Sequence, residues 1–148
     1  MGCSMWQIEA NFFIPAENKN AALTSLHLLE DEWASARTLT YGGVQVASKH
    51  LFLEDQLSEY GWFARCDKQG NINALIFDGE YLGDEKKWLA AIAPYVRQGS
   101  YLGMNSDERG AWMWHFDGTA MHEYAGVIMY PECPDDTLSG KLRFQPQP

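Results

Sequence analysis

The stretch GSYLGMNSDERGAWMWHFDG, Gly99–Gly118, decides how the chain folds. Trp112, Trp114 and Phe116 alternate with Met113, His115 and Asp117, and a period of two sets the three aromatics on one face of a strand. The polar run Asn105-Ser106-Asp107-Glu108-Arg109-Gly110 supplies a turn. The whole reads as a β-hairpin whose aromatic face is a wall of the core. The opposite face (Met113, His115, Asp117) and the tip (Asp107, Glu108, Arg109) are left to meet solvent or a ligand.

Upstream of the hairpin, the spacing of Trp88, Ile92 and Tyr95 predicts a helix over 85–96, capped by Asp84 and irregular near Pro94. Before it come two strands, Trp62–Asp67 and Ile72–Phe77, around a turn at 68–71. A short helix runs from Ser48 as N-cap to Tyr60, with Leu53, Leu57 and Tyr60 on one face and Gly61 in the C′ position. Residues 34–46 read as a loose hairpin or loop around Gly42-Gly43. A helix over 19–33, capped by Asn18, buries Ala22, Leu23, Leu26, Leu29 and Trp33. The first strand, Trp6–Ile14, sets Trp6, Ile8, Ala10 and Phe12 on one side and is closed by Pro15. Downstream, Tyr124–Tyr130 is a further strand. Leu138–Phe144 packs loosely, and residues 145–148 form a frayed tail.

The segments Gly61–Gly79 and Gly99–Gly118 share an order: glycine, strand, polar turn, strand, Phe-Asp-Gly. They read either as a duplicated helix–hairpin unit or as the common form of any two such units. The expected architecture is a single α+β domain over 1–148, an antiparallel sheet of hairpins with helices packed on one face.

A chain of 148 residues suits one domain that buries its core without disulfides or metal. Seven Phe, seven Tyr and six Trp argue against disorder. A formal charge of −9 repels phosphate backbones, which disfavours nucleic acid. It suits a basic protein partner, or simply solubility. Cys3, Cys66 and Cys133 are far apart and form no CxxC pair, which points to reduced thiols in a cytoplasm. No apolar run is long enough to span a bilayer, so no membrane association is expected. Met1-Gly2-Cys3-Ser4 opens like a myristoylation signal, but Trp6 stands where Ser or Thr is required.

The short signatures of nucleotide binding, metalloproteases and serine hydrolases are absent, so no catalytic residue, cofactor or metal is assigned. Three groups carry candidate binding chemistry. His115 and His122 lie near Asp117 and Glu123, the right residue types for a metal but without a third ligand at matched spacing; the alternative is the polar face of a strand. Asp107, Glu108 and Arg109 offer an acid pair beside a guanidinium, or merely a charged turn. Trp112 and Trp114 form either a stacking platform or core. Cys66, in mid-strand, reads as a small buried hydrophobe rather than a nucleophile. The acid clusters Glu30–Glu32, Asp107-Glu108 and Asp135-Asp136 read as surface.

Glu54–Gly118 resembles a group of small bacterial and phage-borne α+β proteins of uncharacterised function. The likeness rests on Tyr60-Gly61-Trp62, Ile92–Val96 (IAPYV), Gly99-Ser100-Tyr101 and the WxWxF strand Trp112–Phe116. It implies a bacterial or mobile-element setting, where small acidic proteins act by binding another protein, and it assigns no catalytic residues. The expected function is binding of a macromolecular partner, as an inhibitor or immunity-type factor. The alternative is a small-molecule- or metal-binding domain, or a small enzyme, with its site at the hairpin. The oligomeric state stays open.

Overall fold

The structure, a computed structural model, describes residues 4–41, 49–79, 83–129 and 141–146; for 35–41, 127–129 and 141–146 the description is of the backbone. The Gly99–Gly118 hairpin forms as its alternation requires. Strand β4 (Tyr101–Ser106) pairs antiparallel with β5 (Trp112–Phe116), and Trp112, Trp114 and Phe116 are all buried. Gly110 takes a positive φ of 78° to close the turn, a conformation that costs a side-chain-bearing residue but not glycine.

The hairpin is the middle of a five-stranded antiparallel sheet. Strand β1 (Met5–Asn11) pairs with β4, β6 (Met121–Met129) with β5, and β7 (Lys141–Pro146) with β6. Strand β7 continues through Gln145 and Pro146, where the frayed tail was expected to begin. The other hairpin, β2 (Trp62–Cys66) and β3 (Ile72–Phe77), forms its own two-stranded sheet. Three helices cover one side: α1 (Lys19–Tyr41) packs on α2 (Leu53–Glu59) and α3 (Glu85–Ile92), and α2 packs on β2. This is the expected α+β class.

An aromatic chain joins these layers. The Trp62 ring lies 5.0 Å from Phe77, 5.8 Å from Trp88 and 6.3 Å from Trp114. Tyr60 stacks on Trp88 at 5.2 Å, and Trp112 meets Trp114 edge-on at 5.6 Å. Offset and edge-on aromatic contacts contribute about 0.5–1.5 kcal/mol each beyond the area they bury. Trp62 thus ties the small sheet to the large one.

Several local expectations are corrected. Helix α1 does not stop near residue 33 but runs to Tyr41, because Thr38 and Thr40 weaken a helix without breaking it and the first true breakers are Gly42-Gly43. Its entry is a 3-10 turn at Ala16–Asn18, and Asn18 donates to the Tyr95 carbonyl (3.2 Å) instead of capping. Helix α2 begins at Leu53 with Phe52 in the N-cap position; Ser48 lies outside the described residues. Pro94 falls in a 3-10 turn, Ala93–Tyr95, which ends the α-helical part of α3 at Ile92.

The largest correction is the facing of β1. Gln7 pairs with Met104 and Glu9 with Gly103, so Ile8 is an extra residue, a β-bulge. Because side chains alternate with a period of two, one inserted residue switches the buried set from odd to even positions. Met5 is buried before the bulge, Phe12 and Ile14 after it. Trp6 and Ile8, expected on the same side as Phe12, are exposed; Ala10, although it shares the parity of Phe12 after the bulge, is exposed as well and lines the cleft beside β3. Gly103 makes the bulge possible: a Cβ there would sit 2.9 Å from the Glu9 carbonyl oxygen.

Candidate functional site

Trp112 and Trp114 are core side chains and present no face to a ligand. Arg109 turns back from the tip: its guanidinium pairs with Glu123 (2.6 Å) and lies 4.4 Å over the Trp112 ring. Glu123 also accepts the Trp114 indole N–H (2.9 Å) and faces Lys86 at 3.6 Å. Burial pushes the Glu123 carboxyl up, but Arg109, Trp114 and Lys86 together outweigh it and hold the group below its ordinary value. Asp107 and Glu108 remain exposed at the tip.

Asp117 lies at the other end of β5 and serves the β5–β6 turn. Its Oδ1 accepts the N–H groups of Thr119 (2.8 Å) and Ala120 (2.7 Å), and its Oδ2 meets His122 Nε2 at 2.7 Å. The Ala120 N–H, then His122, then the Thr119 N–H stabilise the carboxylate and lower its pKa well below the usual aspartate range. His115 stands directly across from His122 in the ladder, but its ring packs edge-on against Tyr124 at 6.1 Å. Among the described residues no group of three or more His, Cys, Asp or Glu could hold a metal ion. Arg109 and Asp117 are thus placed at opposite ends of one strand, each engaged with a neighbour in the sheet.

Two other expectations change. Cys66 is exposed, because the β2–β3 register slips between Arg65 and Cys66. Local burial pushes its thiol pKa up, Glu54 (3.6 Å) adds to this, and Lys19 (3.9 Å) offsets only part, the opposite of an activated nucleophile. Glu30 is not a surface acid but only 3% exposed, and it accepts the Tyr60 hydroxyl hydrogen bond at 2.8 Å. The sequence did carry that signal: Glu30 follows Leu23 by seven residues and Leu26 by four, on the buried stripe. Asp31 pairs with Lys49 at the surface, while Asp135 and Asp136 lie outside the described residues.

The feature that sequence reasoning missed is the seam between the two sheets. Strand β1 ends one sheet and β3 ends the other, and these two edges face each other. The seam is closed at one end by reciprocal 2.9 Å bonds between Ile14 and Ile72. At the other end the closure is a side chain: Gln7 Nε2 donates to the Leu75 carbonyl (2.9 Å), and Gln7 Oε1 accepts the Phe77 N–H (3.2 Å). Among the described residues no backbone–backbone hydrogen bond crosses the seam between these closures. The gap is a cleft of about 360 Å³ lined by residues 7–12 and 73–76. A second hollow continues it past Trp6, Ile76 and Asp78.

Large apolar side chains gather at this cleft. Trp6 (42% exposed), Ile8 (39%) and Ile76 (38%) border it, and Phe63 (48%) is the cross-strand partner of Ile76. They are four of the seven large hydrophobic side chains exposed among the described residues. No basic residue lines either hollow, whereas Glu9 and Asp78 do.

Comparisons with known proteins add no function: no protein-family model, no curated protein and no solved structure matches the chain. Among the described residues, no helix is long and apolar enough to cross a membrane.

Proposed function

We propose that the protein acts by binding another protein, and that the contact surface is the β1–β3 cleft with its apolar border rather than the Gly99–Gly118 hairpin. One observation carries this reading: Trp6, Ile8 and Ile76 lie exposed along the cleft and the hollow that continues it, with the exposed Phe63 beside Ile76 in the β2–β3 ladder. Clustered exposed apolar groups beside polar ones are a mark of interaction surfaces. The charge of −9 favours a basic partner and would speed encounter with it. An inhibitor or immunity-type role in a bacterium or phage is the narrower form of the same proposal.

The test is capture from a bacterial lysate at low salt, with each captured protein identified and its binding re-measured in purified form. Ile8→Lys/Ile76→Lys places two cations on the cleft border, and Asp107→Lys/Glu108→Lys changes the hairpin tip. The expected result is a purified partner that binds the wild type and the tip variant and loses at least about tenfold in affinity for the cleft variant, with unchanged circular dichroism. A partner lost only with the tip variant, or none at all, overturns the reading.

A further inference from the structure

Resting on that reading, we infer that the cleft takes an extended polypeptide segment of the partner, paired as an added strand between β1 and β3, and that Gln7 is the latch it displaces. In a sheet each strand edge presents a row of N–H and C=O groups that seek a strand partner. Strands β1 and β3 each have such a partner on one side only. Across the seam Gln7 supplies an acceptor to the Phe77 N–H and a donor to the Leu75 carbonyl. One side-chain amide thereby does for β3 what a peptide group of a neighbouring strand would do. An incoming backbone offers the same donor and acceptor and repeats them along the strand.

The closures are unequal. Ile14 and Ile72 are fully buried and bonded backbone to backbone, so that end is a fixed hinge. Gln7 is half-buried, and its two bonds can be exchanged for bonds to another chain at small net cost. Release of Gln7 opens the seam from that end into a wedge with an edge strand on either side. Addition of a strand to open edges draws its affinity from main-chain bonds and its selectivity from alternate side chains. Here one face of the added strand meets Trp6, Ile8 and Ile76, and its charges meet Glu9 and Asp78. The chemistry specified is an extended segment, free of proline, alternating apolar residues with Lys or Arg.

The probe is a displayed library of random 12-residue peptides, selected on the folded wild-type protein, with enriched peptides synthesised and titrated. Enriched peptides should alternate apolar and basic residues, and adding one should shift the Phe77 amide resonance and slow its exchange. Single backbone N-methylation should abolish binding at successive positions along the inserted segment, because alternate N–H groups serve β3 and β1. Gln7→Ala, which removes the latch, should tighten binding about fivefold, since two modest hydrogen bonds no longer compete. Peptides that bind the cleft but tolerate N-methylation throughout overturn strand addition and leave partner binding standing. Failure to enrich any peptide, while the purified partner still needs Ile8 and Ile76, does the same. Peptides that map to the hairpin tip overturn both. A concentration-dependent dimer that blocks the Phe77 amide overturns the partner segment in favour of a second copy.

Discussion

Tyr60→Phe should cost about 2 kcal/mol of stability near neutral pH, and the cost should shrink in alkali. The Tyr60 hydroxyl donates to Glu30 Oε1 at 2.8 Å, and both residues are buried. Phenylalanine keeps the stack on Trp88 but leaves a buried carboxylate without its donor. A hydrogen bond to a charged group contributes about 1.5–3 kcal/mol. The pH dependence follows from the hydroxyl. Burial first, then the neighbouring Glu30, push the Tyr60 pKa far above the ordinary value of 10.0. A raised pKa means that the native state holds the proton longer than the unfolded chain does. The stabilisation is therefore complete below pH 10.0 and is lost as pH rises past it. Each unit above that point removes about 1.4 kcal/mol from the wild type but nothing from the variant. The other tyrosines titrate in both proteins and cancel. Urea unfolding followed by tryptophan fluorescence, at about pH 8 and about pH 11, measures the gap. A gap that stays constant between those values, or that is absent at pH 8, refutes the Tyr60–Glu30 account.

Gly103→Ala should lower stability by about 1–3 kcal/mol, because the added methyl meets the backbone oxygen of Glu9 at 2.9 Å and only movement of β1 relieves it; chemical denaturation measures the loss, and an unchanged midpoint contradicts the close approach at the bulge. Asp117 contributes stability that is present above the ordinary aspartate value of 3.8 and fades as pH falls towards its lowered native value. Asp117→Asn should therefore melt at a lower temperature than wild type near pH 6, and the two Tm curves should draw together as pH falls below 3.8; parallel curves would dismiss the turn-closing role of the carboxylate.

What the sequence made legible is what depends on short-range periodicity. The alternation of Trp112, Trp114 and Phe116 placed a hairpin and its buried face correctly, and Leu53, Leu57 and Tyr60 gave the buried side of α2. Pro94 marked the irregular end of α3. The failures share a cause, since each needed information from a distant part of the chain. That β2–β3 would form a separate sheet depends on how Trp62 packs between Trp88 and Trp114, not on either hairpin. Arg109 looked free at the tip because Glu123, fourteen positions on, becomes its neighbour only when β6 pairs with β5. Of the cleft, the sequence offered Ile76 and Phe63 as strand residues, and Gln7 as one polar position among several in an alternating strand. It gave no sign that the two edges would meet.

The first strand joins the misreading to the proposed site. Unbroken alternation would have carried Trp6 and Ile8 into the core with Phe12, and full burial of such side chains stabilises by about 1.5–3 kcal/mol each. The fold forgoes part of that gain through one extra residue, and it maintains the arrangement by specific means. Gly103 gives the bulge room, and Gln7 stitches the resulting edge to β3. Positions where local rules fail while the surroundings support the failure are where function is expected to reside. The hairpin keeps to its local rules: its aromatics are buried, and Arg109 and Asp117 bond to neighbours in the sheet. Strand β1 departs from its own pattern and leaves a tryptophan and an isoleucine in water beside an open edge. A surface laid over the cleft would recover the cost of that exposure, as the proposed partner contact requires.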